Sequence, residues 1–138
     1  MIRRLQVEDF YGYITLLGQL TNVGSVSEDQ FKKFVNSQTD DHFVLVFDID
    51  EMPVGCLTIL IEQKISHSFS SVMHIEDVVV DTNFRKMGIA NSLINDAISY
   101  SKDRNCYKII LDCSDKNIEF YKKFKFEQKE FQMSLKFI

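Results

Sequence analysis

The chain is short of the residues that usually punctuate or crosslink a fold. It has one proline and five glycines in 138 residues. No repeat, low-complexity segment or linker appears. Three cysteines, Cys56, Cys106 and Cys113, do not make a disulfide framework, and their spacing matches no zinc pattern. No metal is expected. Each cysteine lies among apolar residues, so buried free thiols in a reducing compartment are expected. No apolar run approaches the length of a membrane span. Positive charge is not in excess either. The net charge of −4 gives no general attraction for nucleic acid or an anionic membrane. Any anionic ligand must be held by a local cluster of donors. The opening "MIRRLQVEDF" is basic but lacks the apolar core of a signal peptide, and a cytoplasmic protein is expected.

What is present suits one soluble domain over residues 1–138, with 45% apolar residues. "IRRLQV" reads as a first strand. In "DFYGYITLLGQL", Phe10, Ile14, Leu17 and Leu20 recur at helical spacing. "VSEDQFKKF" starts a second helix, with Ser27 as N-cap and Gln30 completing a capping box. "HFVLVF" and "VGCLTILI" flank "DIDEMPVG" as a hairpin, with Pro53 in the turn. "HIEDVVV" is a strand. The positions Ile89, Ala90, Leu93, Ile94, Ala97 and Ile98 form one helical face, and "YKIILD" is a strand again. "SDKNIEFYKKF" reads as a helix capped by Ser114. "EFQMSLKF" alternates as a final strand with one buried face. The strand-helix-strand unit makes two strands parallel and the hairpin adds antiparallel neighbours, so the fold class is α/β with a mixed sheet.

Gly88 is the only glycine after Gly55, and it stands beside Arg85 and Lys86 at the turn "DTNFRKMG". That turn lies beyond the carboxyl end of a strand, where parallel α/β units bind ligands. A glycine there can aim backbone N–H groups that other residues would not present. The helix it opens adds free amides and a positive end, and two cations add full charge. Arg85, Lys86, Met87, Gly88, Ile89, Ala90 and Asn91 therefore make a candidate cradle for a phosphate or pyrophosphate. Taken alone, the turn equally suits a plain strand-to-helix connection with solvated basic residues. It is neither a P-loop nor a three-glycine dinucleotide fingerprint.

Arg85-x-x-Gly88-x-Ala90 after a strand resembles the acetyl-CoA pyrophosphate loop of the GNAT superfamily of N-acetyltransferases. "NIEFYKKFKF" resembles that superfamily's Asn-x-x-x-x-Phe-Tyr-x-x-x-x-Phe segment. Within it, "HIEDVVVD", "CYKIILDCS", "NIEFYKKF", "LTNVGSVS" and "IEQKISH" look like the glucosamine-6-phosphate N-acetyltransferase family over almost the whole chain. The resemblance implies a sheet with splayed parallel strands flanked by helices. It implies transfer of acetyl from acetyl-CoA to the 2-amino group of glucosamine 6-phosphate, by direct attack of the amine. It also implies an intertwined homodimer that shares site residues.

The same resemblance implies the roles. The cradle takes the pyrophosphate of CoA. The pantetheine arm runs along Val78, Val79 and Val80 like an added strand. Asn117 and Tyr121, four apart, share a helix face toward the slot, and Tyr121 is the general acid for the leaving thiolate. Asp112 orients the amine. Glu76 is the preferred base; its neighbour Asp77 falls on the opposite face unless a bulge intervenes. A backbone N–H near Val78 meets the oxyanion. Thr21, Lys64, His67, Glu76, Asp77, Asp112 and Lys136 contact the sugar phosphate.

Four residues depart from the family pattern. Lys86 stands where the family often has glycine, and Ala90 where glycine is frequent. Lys125 replaces a glycine, with strain if that position has positive φ. Lys136 replaces an arginine and loses bidentate phosphate binding. A GNAT enzyme for a peptide or polyamine, and an acetyl-CoA-sensing module without turnover, are the competing readings.

Overall fold

The computed structural model describes residues 1–138. In chain order its elements are β1 (Ile2–Arg4), α1 (Phe10–Gly18), α2 (Glu28–Asn36), β2 (His42–Ile49), β3 (Met52–Gln63), α3 (Ser66–Phe69), β4 (Ser71–Val80), α4 (Ile89–Asp103), β5 (Cys106–Ile110) and α5 (Ile118–Lys122). The strands form one sheet in sequence order. β1 to β4 are antiparallel in succession, and β5 lies parallel to β4 because α4 carries the chain back across the sheet. This is the expected mixed α/β sheet.

Side chains alternate across the sheet, so each face gathers its own core. On one face Phe43, Leu57, Ile59, Met73 and Ile75 meet Leu93, Ile94 and Ala97 of α4 and Tyr121 of α5. On the other, Val44, Val46, Cys56 and Val79 meet Tyr13, Leu16 and Phe31 of α1 and α2. Leu93 and Ile94 are fully buried, and each contributes roughly 1.5–3 kcal/mol toward holding α4 on the sheet. Gly55 brings the start of that helix close, since a Cβ there would lie 2.7 Å from Ile89 Cγ2.

Ser27 caps α2 as expected: its hydroxyl accepts from Gln30 N, and the Gln30 side chain accepts from Ser27 N. Other local expectations are corrected. The hairpin turn is Asp50–Glu51, both with left-handed φ, as a two-residue turn requires. Pro53 already lies inside β3, next to a bulge, where a missing N–H disturbs the ladder least. In α1 the buried residues are Tyr13 and Leu16, while Leu20 is exposed. The segment after Ser114 splits into a 3₁₀ turn, Asp115–Asn117, and the short α5, and the Ser114 side chain makes no cap bond. Of the cysteines only Cys56 is buried; Cys106 is half-buried and Cys113 exposed.

The final segment, residues 127–138, pairs with no strand. Its alternating Phe131, Met133, Leu135 and Phe137 are 80–91% exposed rather than forming a buried face. No helix is long and apolar enough to cross a membrane.

Candidate active site

β4 and β5 pair only from Ser71–His74 to Cys106–Ile110. Beyond that point the strands part, and Ile75–Val80 of β4 has a ladder with β3 alone. The splay leaves one edge of β4 with unpaired backbone groups, which an extended ligand can pair with as an added strand.

The same stretch carries a bulge. Thr58 faces Glu76 and Cys56 faces Val79, so Asp77 and Val78 together oppose Leu57. Asp77 takes up the extra length with φ 50°, a region that aspartate tolerates better than most residues. Cys56 supports the bulge from beneath: its Sγ lies 3.6 Å from the Asp77 carbonyl oxygen, as donor. Burial, with a smaller push from Asp77, raises that thiol to about 12, so it remains a protonated donor at neutral pH.

The bulge decides where the acids go. Glu76 and Asp77, adjacent in sequence, both line one pocket of about 710 Å³ between the sheet and α1–α2. Thr21 lines it too, as do Tyr13, Asn22, Gln30 and His42, none of which was expected at the site. The walls otherwise include Ile14, Leu17, Phe31, Phe34 and Leu60, and no lysine or arginine is among the lining residues. Burial raises the Glu76 carboxyl above its ordinary range, the charges of Asp112 and Asp77 add to the rise, and His74 offsets part of it.

A second cleft, of about 240 Å³, lies beyond β5 and is lined by Leu111, Asp112, Cys113, Ile118, Tyr121 and Phe126, together with the final segment. Tyr121 is buried, with its ring edge-on to Phe120 and Phe126. Burial first, and Cys113 second, push its hydroxyl up to about 12. Asn117 is not a helix-face partner of Tyr121: it sits in the preceding 3₁₀ turn, exposed, with its amide 3.3 Å from Ser114 Oγ. Asp112, which lines this cleft, is one of the charges that raise Glu76 in the first pocket.

The loop after β4 ends on Gly88, left-handed at φ 81°, which serves as N-cap of α4 without a side-chain bond. The first helical bond shown from a cap group runs from Ser92 N to Gly88 O, so the amides of Ile89, Ala90 and Asn91 precede it. Arg85 is held by its Nε, which donates to Val80 O at 3.1 Å, and Arg85, Lys86 and Met87 are all exposed. Lys86 has φ 64°, so this residue does occupy a conformation that glycine would hold without strain.

Three expected sugar-phosphate residues line neither cleft. Lys64 pairs with Glu62 at 2.9 Å, and Glu62 also meets His74. His67 stacks on Tyr107 at 3.9 Å within a run of left-handed residues in α3. Lys136 lies in the exposed final segment.

Comparison with known proteins agrees with this architecture. The model of the acetyltransferase (GNAT) family matches residues 2–126. The chain is 39% identical to glucosamine 6-phosphate N-acetyltransferase of Arabidopsis thaliana, over 96% of this chain and 93% of that protein. It is 36% identical to glucosamine 6-phosphate N-acetyltransferase 1 of Dictyostelium discoideum, over 96% and 88% respectively. The crystal structure of the Arabidopsis enzyme superposes with a TM-score of 0.94 at 36% identity, covering 100% of this chain and 98% of that one. Splayed strands, bulge and glycine-capped helix thus sit in a known framework, and the chain belongs to the GNAT acetyltransferases and, among them, to the glucosamine 6-phosphate N-acetyltransferase family.

Proposed function

We propose that this chain transfers acetyl from acetyl-CoA to the 2-amino group of glucosamine 6-phosphate, giving N-acetylglucosamine 6-phosphate for UDP-N-acetylglucosamine synthesis. One observation carries the reading: the bulge at Asp77 brings Glu76 and Asp77 into one pocket beside an unpaired strand edge. The cradle from Arg85 to Asn91 holds the pyrophosphate. Val78, Val79 and Val80 offer the backbone edge to the pantetheine arm, and Asn117 flanks it. Thr21, Asp77 and Asp112 orient the amino sugar.

In the reaction the amine nitrogen attacks the thioester carbon. Charge moves to the carbonyl oxygen, which a backbone N–H near Val78 stabilises. Glu76 takes the amine proton, directly or through a water, and its raised pKa brings it closer to the operating pH of a useful base. The C–S bond then breaks and CoA leaves as a thiolate. Tyr121, protonated up to about 12, donates a hydrogen bond to that sulfur. Burial keeps the phenol protonated, so stabilisation of the thiolate by donation is the role its place favours.

The acidic pocket lacks a cation for the sugar's phosphate. The exposed apolar alternation of the final segment supports a homodimer in which that segment pairs with a second copy. Lys136 then reaches the partner's site. The lack of a cation also favours one of the competing readings, a polyamine or peptide acceptor, should the chain act as a monomer. Thiol release from acetyl-CoA distinguishes them, with glucosamine 6-phosphate, glucosamine, spermidine and a peptide amine run in parallel. Release with the sugar phosphate alone is expected. Release with spermidine or the peptide instead retains acetyl transfer and discards the sugar.

A further inference from the structure

We infer that Gln19 is a positioning residue, a latch that holds the acceptor-side loop and the cofactor-side loop in register with each other. The inference rests on the proposed reading of those two loops. Gln19 immediately follows α1, and its side-chain amide makes three hydrogen bonds to the turn that begins the cradle. Nε2 donates to Asp81 Oδ2 at 3.1 Å, and Oε1 accepts from both Thr82 N and Thr82 Oγ1 at 2.9 Å. Asp81 is itself fixed. Its other carboxylate oxygen accepts from Asn83 N at 2.8 Å, and its own N–H donates to Val54 O of β3 at 2.8 Å.

On the other side of the latch the chain turns directly into the pocket. Leu20 N and Thr21 N both donate to Leu17 O, and Thr21, Asn22 and Val23 then line the cavity. The bonds of Gln19 are the hydrogen bonds that join residues 10–27 to the turn at Asp81–Phe84. Gln19 is exposed, so core packing does not explain its place. A single amide with three bonds to two consecutive residues sets a distance and an orientation. Ordering of the cradle by a bound pyrophosphate is therefore transmitted to the loop carrying Thr21 and Asn22, and by linkage the reverse holds.

Amide hydrogen exchange with CoA as the probe tests this without needing turnover. In the wild-type protein CoA is expected to slow exchange at Ile89–Asn91 and, by about five-fold or more, at residues 20–24, the scale of ordinary coupling between sites. Gln19→Met keeps the shape and removes all three bonds. It is expected to leave protection at Ile89–Asn91 and lose it at residues 20–24. Gln19→Glu sets two carboxylates together and loses the effect as well. Gln19→Glu combined with Asp81→Asn exchanges donor and acceptor, keeps an oxygen for Asn83 N, and restores it. In turnover, Gln19→Met raises the acceptor's KM several-fold with a smaller change in kcat. Equal protection of residues 20–24 in wild type and Gln19→Met overturns the latch, as does protection confined to Ile89–Asn91 in the wild type. No protection at Ile89–Asn91 in the wild type instead overturns the cofactor reading itself.

Discussion

From Ser71 to His74, β4 is paired on both sides, by β3 and by β5; from Ile75 to Val80 it is paired by β3 alone. Against β3 the first stretch keeps an unbroken register, and Val72 and Met73 are buried. The second bulges at Asp77, and its acids turn into a pocket. Within the doubly paired stretch the one irregularity falls on β5, where Tyr107 is the extra residue between the partners of Ser71 and Val72. Once one neighbour departs, a bulge disturbs only one ladder, and the released edge is available to a ligand. One strand thus supplies core along its length and chemistry only at its end, and substitutions at Met73 and at Glu76 should separate stability from turnover.

The largest effect belongs to the open half. Glu76→Gln should lower kcat by about 10²–10⁴, the range of a general base, with the urea midpoint little changed. A kcat within a few-fold of wild type would remove Glu76 from proton transfer. The paired half should behave in the opposite way. Met73 is fully buried, and Met73→Ala should destabilise the protein by about 2–5 kcal/mol in urea titration while kcat per folded site stays close to wild type. Tyr121→Phe, in the cleft beyond the splay, should reduce kcat by about ten-fold or more with CoA affinity retained, as read by titration of CoA and by initial rates. The smallest effect lies outside both halves. Lys125 has φ 71°, and Lys125→Gly should stabilise by about 0.5–1 kcal/mol, after allowing for the greater freedom of glycine in the unfolded chain.

Much of the architecture is legible in the residues themselves. The Ser27 capping box, the apolar face of α4 and the glycine-led turn at Gly88 are local patterns, and local geometry follows from them. The strain anticipated at Lys125 rested on one backbone angle and is present. What the sequence hides depends on distant partners. "EDVVV" carries no mark of a bulge, because the bulge is a register between β3 and β4, supported by Cys56 twenty-one positions away. In α1 the stripe Phe10, Ile14, Leu17 has the right period, but the sheet selects Tyr13 and Leu16, while Ile14 and Leu17 line the pocket. The final segment alternates as a strand does, yet in a single chain nothing pairs with it. Asn22, Gln30 and His42 join the pocket from three separate parts of the chain, and no spacing announces such a convergence.

The most direct measurement is the pH profile of kcat/KM for acetyl transfer to glucosamine 6-phosphate, in wild type, Glu76→Gln and Asp112→Asn. Burial, Asp112 and Asp77 all raise Glu76, so its base form is lost as pH falls through a point above the ordinary carboxylate range. The wild-type rate should therefore drop on the acid side at that raised position. The drop should move to lower pH in Asp112→Asn, where one cause of the rise is gone, and in Glu76→Gln should leave only the limb set by protonation of the substrate's own amine. An acid limb unchanged in Glu76→Gln would place the base elsewhere and contradict the role given to the bulge.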